Sequence, residues 1–277
     1  MEPSVVRDHP DTGPLIIDRG DREPVVIDRT PSPIPTEQRQ AAFYAMRPGG
    51  WRDYWTLLHP PYTGWHLAYV AIGAAVAPGF SSAHLAWSLL AFFLGVGISA
   101  HALDELAGRP LGTKIPERVL QGLALGGLVG AMVLGVLGAI AVSAWFGVFI
   151  GTGMFLLIAY NAELFGGWFH TDFWFAVAWG GFPAVTGYFA MGGSLRWPAG
   201  LVAGGCVLLS AAQRRLSTPV RYLRRRVAYV DGVMVLKDGT ELPIDESALR
   251  AAPEAALRAM SFGVMLLAAG LVAARLA

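Results

Sequence analysis

A succession of long apolar stretches constrains this chain more than any other feature. A bilayer-spanning helix takes about 20 mostly apolar residues, and about seven segments qualify on that measure. They cover residues 62–78, 83–103, 119–137, 139–160, 173–191, 198–212 and 255–276. The third and fourth run together through VLGVLGAIAVSAWFG, so only a tight Gly-containing turn separates them. With 54% hydrophobic and 15% charged residues, the chain lies outside soluble-domain usage. The expected fold is an all-α polytopic membrane bundle of about seven helices.

The basic residues set its orientation. Arg47 and Arg52 precede the first segment, Arg109, Lys114 and Arg118 follow the second, and Arg214, Arg215, Arg221 and Arg224 to Arg226 follow the sixth. Short cytoplasmic loops carry the Lys/Arg excess. A seven-span count puts all three clusters on one side and leaves the other with little beyond Arg196 and Arg275. The expectation is a multi-pass protein of the cytoplasmic membrane with its N-terminus in the cytoplasm and its C-terminus outside. A net charge of +1 gives no global basic field for nucleic acid. The single cysteine, Cys206, has no partner for an internal disulfide.

Outside the apolar segments, residues 1–42 mix charge with Pro, lack a signal-peptide core, and read as a disordered cytoplasmic tail. Two similar pieces, PLIIDRGD and PVVIDRTP, recur inside it. Residues 43–226 form the transmembrane bundle, introduced by Trp51, Tyr54 and Trp55 on a short interfacial helix that Pro60 and Pro61 stop. Residues 227–247 alternate β-branched positions around Asp231-Gly232 and Asp238-Gly239, the signature of a small cytoplasmic β-meander. Residues 248–277 supply the last transmembrane helix.

The stretch SAHALDELAGRPLGTKIP closes the second segment with His101, Asp104 and Glu105 at i, i+3 and i+4, one face of a continuing helix. Ionisable groups at the edge of hydrocarbon are expensive and point to function. Carboxylates suit Mg²⁺, which completes its shell with water and substrate phosphates. Asp104, Glu105 and His101 are therefore the candidate metal set, and Arg109 and Lys114 the nearby phosphate binders. The competing reading is an ordinary polar helix end.

This arrangement resembles the first aspartate-rich motif of the UbiA superfamily of intramembrane prenyltransferases, in which an acidic segment at the cytoplasmic end of the second helix is followed by Arg-Pro-Leu, here Arg109 to Leu111. DYWTLLHPPYTGWHLAYVAIGAAVA looks like that family's approach to its first helix, and the segment around Tyr160 is similar to its fourth-helix exit. The resemblance covers about residues 51–226. It implies an enzyme that binds a polyprenyl diphosphate through Mg²⁺ and transfers or cyclises the prenyl group, with Asp104, Glu105 and Tyr160 as catalytic candidates and a lipophilic acceptor as second substrate; from the loop residues themselves, Glu163 or Asp172 is a candidate base for that acceptor. The chain departs from the pattern in three ways. His101 stands where Asn is usual, about seven helices replace nine, and the second acidic motif gives way to LLSAAQRRLSTPVRYLRRR, which has no carboxylate. Arg214, Arg215 and Arg221, with Ser217 and Thr218 as donors, offer a way to neutralise phosphate without a second metal.

A third polar group, Asn161, Glu163, His170 and Asp172, follows the fourth segment. With His66 and His101 it offers a transition-metal reading, since imidazole and carboxylate suit iron, zinc or manganese. Trp145, Phe146, Phe155, Trp168, Trp174 and Trp179 are candidates to line a chamber for an allylic cation, and Gly180-Gly181 and Gly204-Gly205 to allow close helix approach. Against the enzyme stand two alternatives: a non-catalytic lipid- or partner-binding scaffold, and a membrane metalloprotein.

Overall fold

The structure is a computed structural model that describes residues 15–17, 25–27 and 40–277. In the N-terminal unit, strands β1 (Leu15–Ile17) and β2 (Val25–Ile27) pair antiparallel, Leu15 opposite Ile27. These are the apolar cores of the two similar pieces, so the repeat builds a hairpin. The rest of the expected disordered tail, residues 1–39, lies outside the described residues.

The second unit begins at Gln40. A short helix, α1 (Trp51–Leu57), leaves Trp51 and Trp55 exposed and buries Asp53. Pro60 and Pro61 open α2 (Pro60–Val76), where the missing proline N–H costs nothing, behind a left-handed His59 at φ 47°. Then come α3 (Ser82–Leu106), α4 (Glu117–Ala141), α5 (Phe146–Asn161), α6 (residues 172–190), α7 (Trp197–Arg226) and α8 (Glu246–Leu276). The seven long helices α2 to α8 correspond in order to the seven apolar segments. Three of them, α3, α4 and α8, are long and apolar enough to cross a membrane. The break between α4 and α5 falls at Val142–Trp145 without glycine: Ser143 O accepts from Phe146 N at 2.9 Å and Ser143 Oγ from Trp145 N at 3.3 Å.

The core is centred on α2, which is buried on most of its faces and packs against α6 and α8. Trp65, Tyr69 and Tyr188 are among its fully buried side chains. Large apolar side chains such as Ile140, Leu201, Leu208 and Leu266 face outward from α4, α7 and α8, as a membrane protein requires. Two helices widen into π turns, α3 over Phe93–Ala100 and α6 over Val177–Gly181. Such turns release carbonyls from the regular i to i+4 ladder and concentrate at functional sites.

Between α7 and α8 the expected meander is a single hairpin. β3 (Gly232–Val235) pairs antiparallel with β4 (Glu241–Ile244), Val235 opposite Glu241. Of the two Asp-Gly dipeptides only Asp238-Gly239 makes the turn: Gly239 has φ +85° and Asp238 Oδ1 accepts from Thr240 N at 2.9 Å. Gly232 instead lies within a strand.

Candidate functional site: an arginine-rimmed chamber

Where α2, α3, α5, α6 and α7 end or open toward one side of the bundle, they enclose a chamber of about 140 Å³, far above the ~10–15 Å³ one water needs. The π-turned α3 contributes His101 and Asp104, α5 contributes Tyr160 and Asn161, and α6 contributes Phe175 and Trp179. From α2 come Tyr62 and His66, and from the turn before it His59. α7 supplies the adjacent Gln213 and Arg214, and then Ser217, Arg221 and Arg225 at steps of three or four residues, so that they stack along one side. Residues 41–44 lie across it, with Ala41 O accepting from Arg225 Nε at 3.4 Å and Gln40 O from Arg224 at 3.1 Å.

Asp104, Tyr160, Arg214 and Arg221, expected from three separate segments, thus meet in one cavity. Arg214 is aimed by Asp172, whose Oδ1 accepts from Arg214 Nε at 2.8 Å, and by Phe175, with the guanidinium 5.2 Å from the ring centroid. Arg221 donates to Thr218 Oγ1 at 3.3 Å, and no carboxylate among the described residues lies within ion-pair distance of it. Burial pushes the Arg221 guanidinium down, and so do Arg214 and Arg225. Guanidiniums gathered on one cavity, with Arg214 and Arg221 half-buried and Arg225 exposed, favour an anion.

The other expected site residues lie elsewhere. Glu105 turns out of the chamber and is fully buried, accepting from Leu111 N at 3.0 Å and from Thr113 N and Oγ1 at 2.8 Å each. Both its oxygens are thus engaged by the loop after α3, and it does not line the chamber beside Asp104 and His101. Arg109, at φ 54°, donates to Thr113 O and to Ile115 O at 2.6 Å. It braces the same loop and does not line the chamber. Lys114 is exposed, and its backbone N–H donates to Asp53 Oδ2 at 3.1 Å. Arg215 and Glu163 are exposed and do not line the chamber. Ser217 and Thr218 donate to Arg214 O at 3.2 and 2.8 Å, which closes the helix around Pro219.

Asp104 is the one carboxylate among the chamber's described lining residues, and no group of three or more His, Cys, Asp or Glu among the described residues is arranged to hold a metal. The donor set does not fit a two-metal site of the prenyltransferase kind. The transition-metal set is also divided. His170 donates from Nδ1 to Tyr160 O at 2.9 Å and stacks on the Tyr160 ring, while His66 and His101 lie in the chamber.

Beyond the chamber, an apolar groove of about 230 Å³ runs between α3, α4, α5 and α6, walled by Trp87, Phe92, Leu128, Phe146, Phe149 and Phe182. Val96 and Trp179 border both cavities, so the polar space and the apolar one lie side by side. Of the aromatics expected to line a chamber, Trp179 and Phe146 do so. Trp145, Phe155 and Trp168 are exposed.

Sequence reasoning did not single out Tyr44, His59 or Gln213. Gln213 carried a signal: it is an amide inside an apolar run, one residue before Arg214. Tyr44 and His59 carried none, because only the fold brings residues 41–44 and the turn before α2 to the ends of α3 and α7. Comparison with family models, with curated proteins and with solved structures gives no match.

Proposed function

We propose that this chain is a seven-span integral membrane protein of prenyltransferase type, with the chamber on the cytoplasmic side, where the arginine-rich ends of α7 and the loops after α3 and α5 meet. The chamber takes the head of a polyprenyl diphosphate against Arg214 and Arg221, and the groove takes its chain. The observation that carries this reading is the adjacency of a cationic cavity and an apolar one, which share Val96 and Trp179 in their walls. An amphiphile with an anionic head and a long tail matches both halves at once.

In the transfer, the bond between the prenyl C1 and the diphosphate oxygen breaks and the diphosphate leaves on the guanidiniums. C1 then bonds to a nucleophilic atom of a lipophilic acceptor, which gives up its proton. Guanidiniums preorganised around the leaving group stabilise the charge that develops there. Mg²⁺ enters this proposal only as an ion carried by the diphosphate oxygens, with Asp104 the one chamber carboxylate to meet it.

The test is thermal unfolding of the full chain in detergent with geranylgeranyl diphosphate, with and without Mg²⁺. Ligand at a hundred times its Kd adds about 2.7 kcal/mol of stability, a shift of several degrees. Arg221→Gln is expected to abolish it, and excess inorganic pyrophosphate to compete with it. No shift at any chain length would sink the reading. A second reading, a non-catalytic scaffold that binds the same amphiphile, is favoured by the commitment of Glu105 to the loop. It predicts the same shift with no prenyl transfer to any acceptor.

A further inference from the structure

The two π turns and the chamber are connected by histidine. His101 Nδ1 lies 3.1 Å from Gly97 O, inside the π turn of α3, and His66 Nδ1 lies 2.8 Å from Trp179 O, inside the π turn of α6. A carbonyl oxygen only accepts, so each Nδ1 carries the proton and donates it. Each Nε2 is then a bare lone pair. Both rings line the chamber, at 9% and 5% exposure. Two separate helices thus distort in a way that fixes the same tautomer on two imidazoles facing one cavity.

Gln213 adds a third acceptor. It lines the same chamber at 3% exposure, and its Oε1 is buried without a hydrogen-bond partner. Leaving such an acceptor unpaired costs about 1–3 kcal/mol, a penalty that a ligand donor removes. The chamber therefore offers both kinds of group. Arg214, Arg221 and Arg225 bring cationic donors from α7, and His66, His101 and Gln213 bring acceptors from α2, α3 and α7.

The geometry points to a second subsite in the chamber that recognises a hydroxyl on a lipophilic molecule, with His66 Nε2, His101 Nε2 and Gln213 Oε1 as its acceptors. A hydroxyl also accepts, so it satisfies the Gln213 amide in either orientation. The assignment rests on the prenyl-transfer reading in one respect: there the hydroxyl belongs to the acceptor substrate. The acceptor oxygen forms the bond to C1, the diphosphate leaves with the C1–O electron pair, and the hydroxyl proton passes to an imidazole Nε2. Every atom and charge in that step is then accounted for without a further reagent.

The test compares two probes that differ only in the donor, geranylgeraniol and its methyl ether, titrated against the full chain in detergent. The alcohol is expected to bind about tenfold tighter than the ether. Gln213→Met and His66→Phe are each expected to shrink that ratio, and together to bring it to about one, with ether affinity unchanged in each. Arg221→Gln, which is directed at the diphosphate, leaves the ratio intact. Loss of the diphosphate shift with the alcohol preference retained defeats only the transfer reading, because the subsite is read without diphosphate. Equal binding of alcohol and ether, binding of neither, or a ratio that survives both substitutions in a chain that still unfolds cooperatively overturns the subsite.

Discussion

Glu105 Oε1 accepts two hydrogen bonds from a single residue, Thr113, one from its backbone N and one from its Oγ1, each at 2.8 Å. With Oε2 taking Leu111 N at 3.0 Å, the carboxylate caps the loop that carries the chain from α3 to α4. Asp53 repeats the device from α1, accepting from Gly49 N at 2.9 Å and Lys114 N at 3.1 Å. Two buried acids therefore organise the backbone of one loop.

Removing the Glu105 carboxylate leaves three buried donors unpaired. Glu105→Ala is expected to cost about 3 kcal/mol or more, since each unmet buried donor costs about 1–3 kcal/mol. Glu105→Gln, which turns an amide N–H₂ toward the same donors, is expected to cost about as much. Thermal unfolding in detergent reads the loss, and diphosphate-probe affinity per folded molecule stays at the wild-type value. A metal-ligand role predicts the opposite: near-normal stability and a Mg²⁺-dependent affinity that disappears.

This distinction marks where the sequence stopped being informative. The i, i+3, i+4 spacing correctly placed His101 and Asp104 on one face, because helical periodicity is local. It put Glu105 there too, and missed that the following loop folds back to present Leu111 and Thr113 to it, a contact fixed by tertiary structure. The apolar segments located α2 to α8 because hydropathy is integrated over many residues. Their ends were less legible: α7 runs on past residue 212 to Arg226 through a charged stretch, held by packing on α8 and α6. The π turns left no mark beyond the glycines in FLGVGISA and VAWGG.

Glycine gives the next prediction. Gly73 of α2 and Gly187 of α6 mark a reciprocal close crossing: a Cβ at 73 would lie 1.9 Å from Ala184 O, and a Cβ at 187 would lie 2.1 Å from Val70 O. The opposing atoms are backbone, so no rotamer change relieves the clash. Gly73→Ala and Gly187→Ala are each expected to separate the helices and to destabilise by more than about 3 kcal/mol, at the severe end for single substitutions. The dipeptides picked from sequence divide. Gly180 abuts Cys206 O, but Gly204 and Gly205 meet nothing within 4 Å. Gly204→Ala is therefore expected to be neutral or to stabilise by up to about 1 kcal/mol through helix propensity. Yield of monodisperse protein and unfolding temperature separate the two classes.

Glu254 ties α8 to α7. Its Oε1 lies 2.5 Å from Arg224 Nε, and its Oε2 lies 3.6 Å from Arg250 Nη1 and 3.9 Å from Arg258 Nη2; the Glu254 and Arg224 side chains are about nine-tenths buried. Removing one member of a buried pair strands the other, at about 3–5 kcal/mol. Glu254→Met alone is expected to cost that much, whereas Glu254→Met with Arg224→Met costs less than the sum of the single changes. Added salt screens the interaction weakly, because the pair is out of water. A double-mutant cycle on unfolding free energy, with no coupling found, would remove the pair from the account of how α8 docks.

His59 supplies a pH dependence whose sign follows from its surroundings. The ring shares a 2.7 Å hydrogen bond with the Tyr44 hydroxyl and stacks on His101 at 4.3 Å between centroids. Burial, first, and then the neighbouring His101, Arg225, Arg221 and His66 hold its pKa well below the ordinary 6.5. The folded protein therefore keeps this imidazole neutral where the unfolded chain binds a proton, and stability rises with pH across that interval. The contribution is complete above about pH 6.5 and is lost as pH falls from there toward the folded-state value. The expected result is a difference in unfolding temperature between wild type and His59→Asn that is constant from pH 7 to 8 and shifts against the wild type below 6.5. Asn is chosen because it tolerates the left-handed backbone at this position. A difference that stays constant down to pH 5 would mean that His59 is solvated in the native state, and the stacked pair would no longer account for the wall of the chamber beside α2.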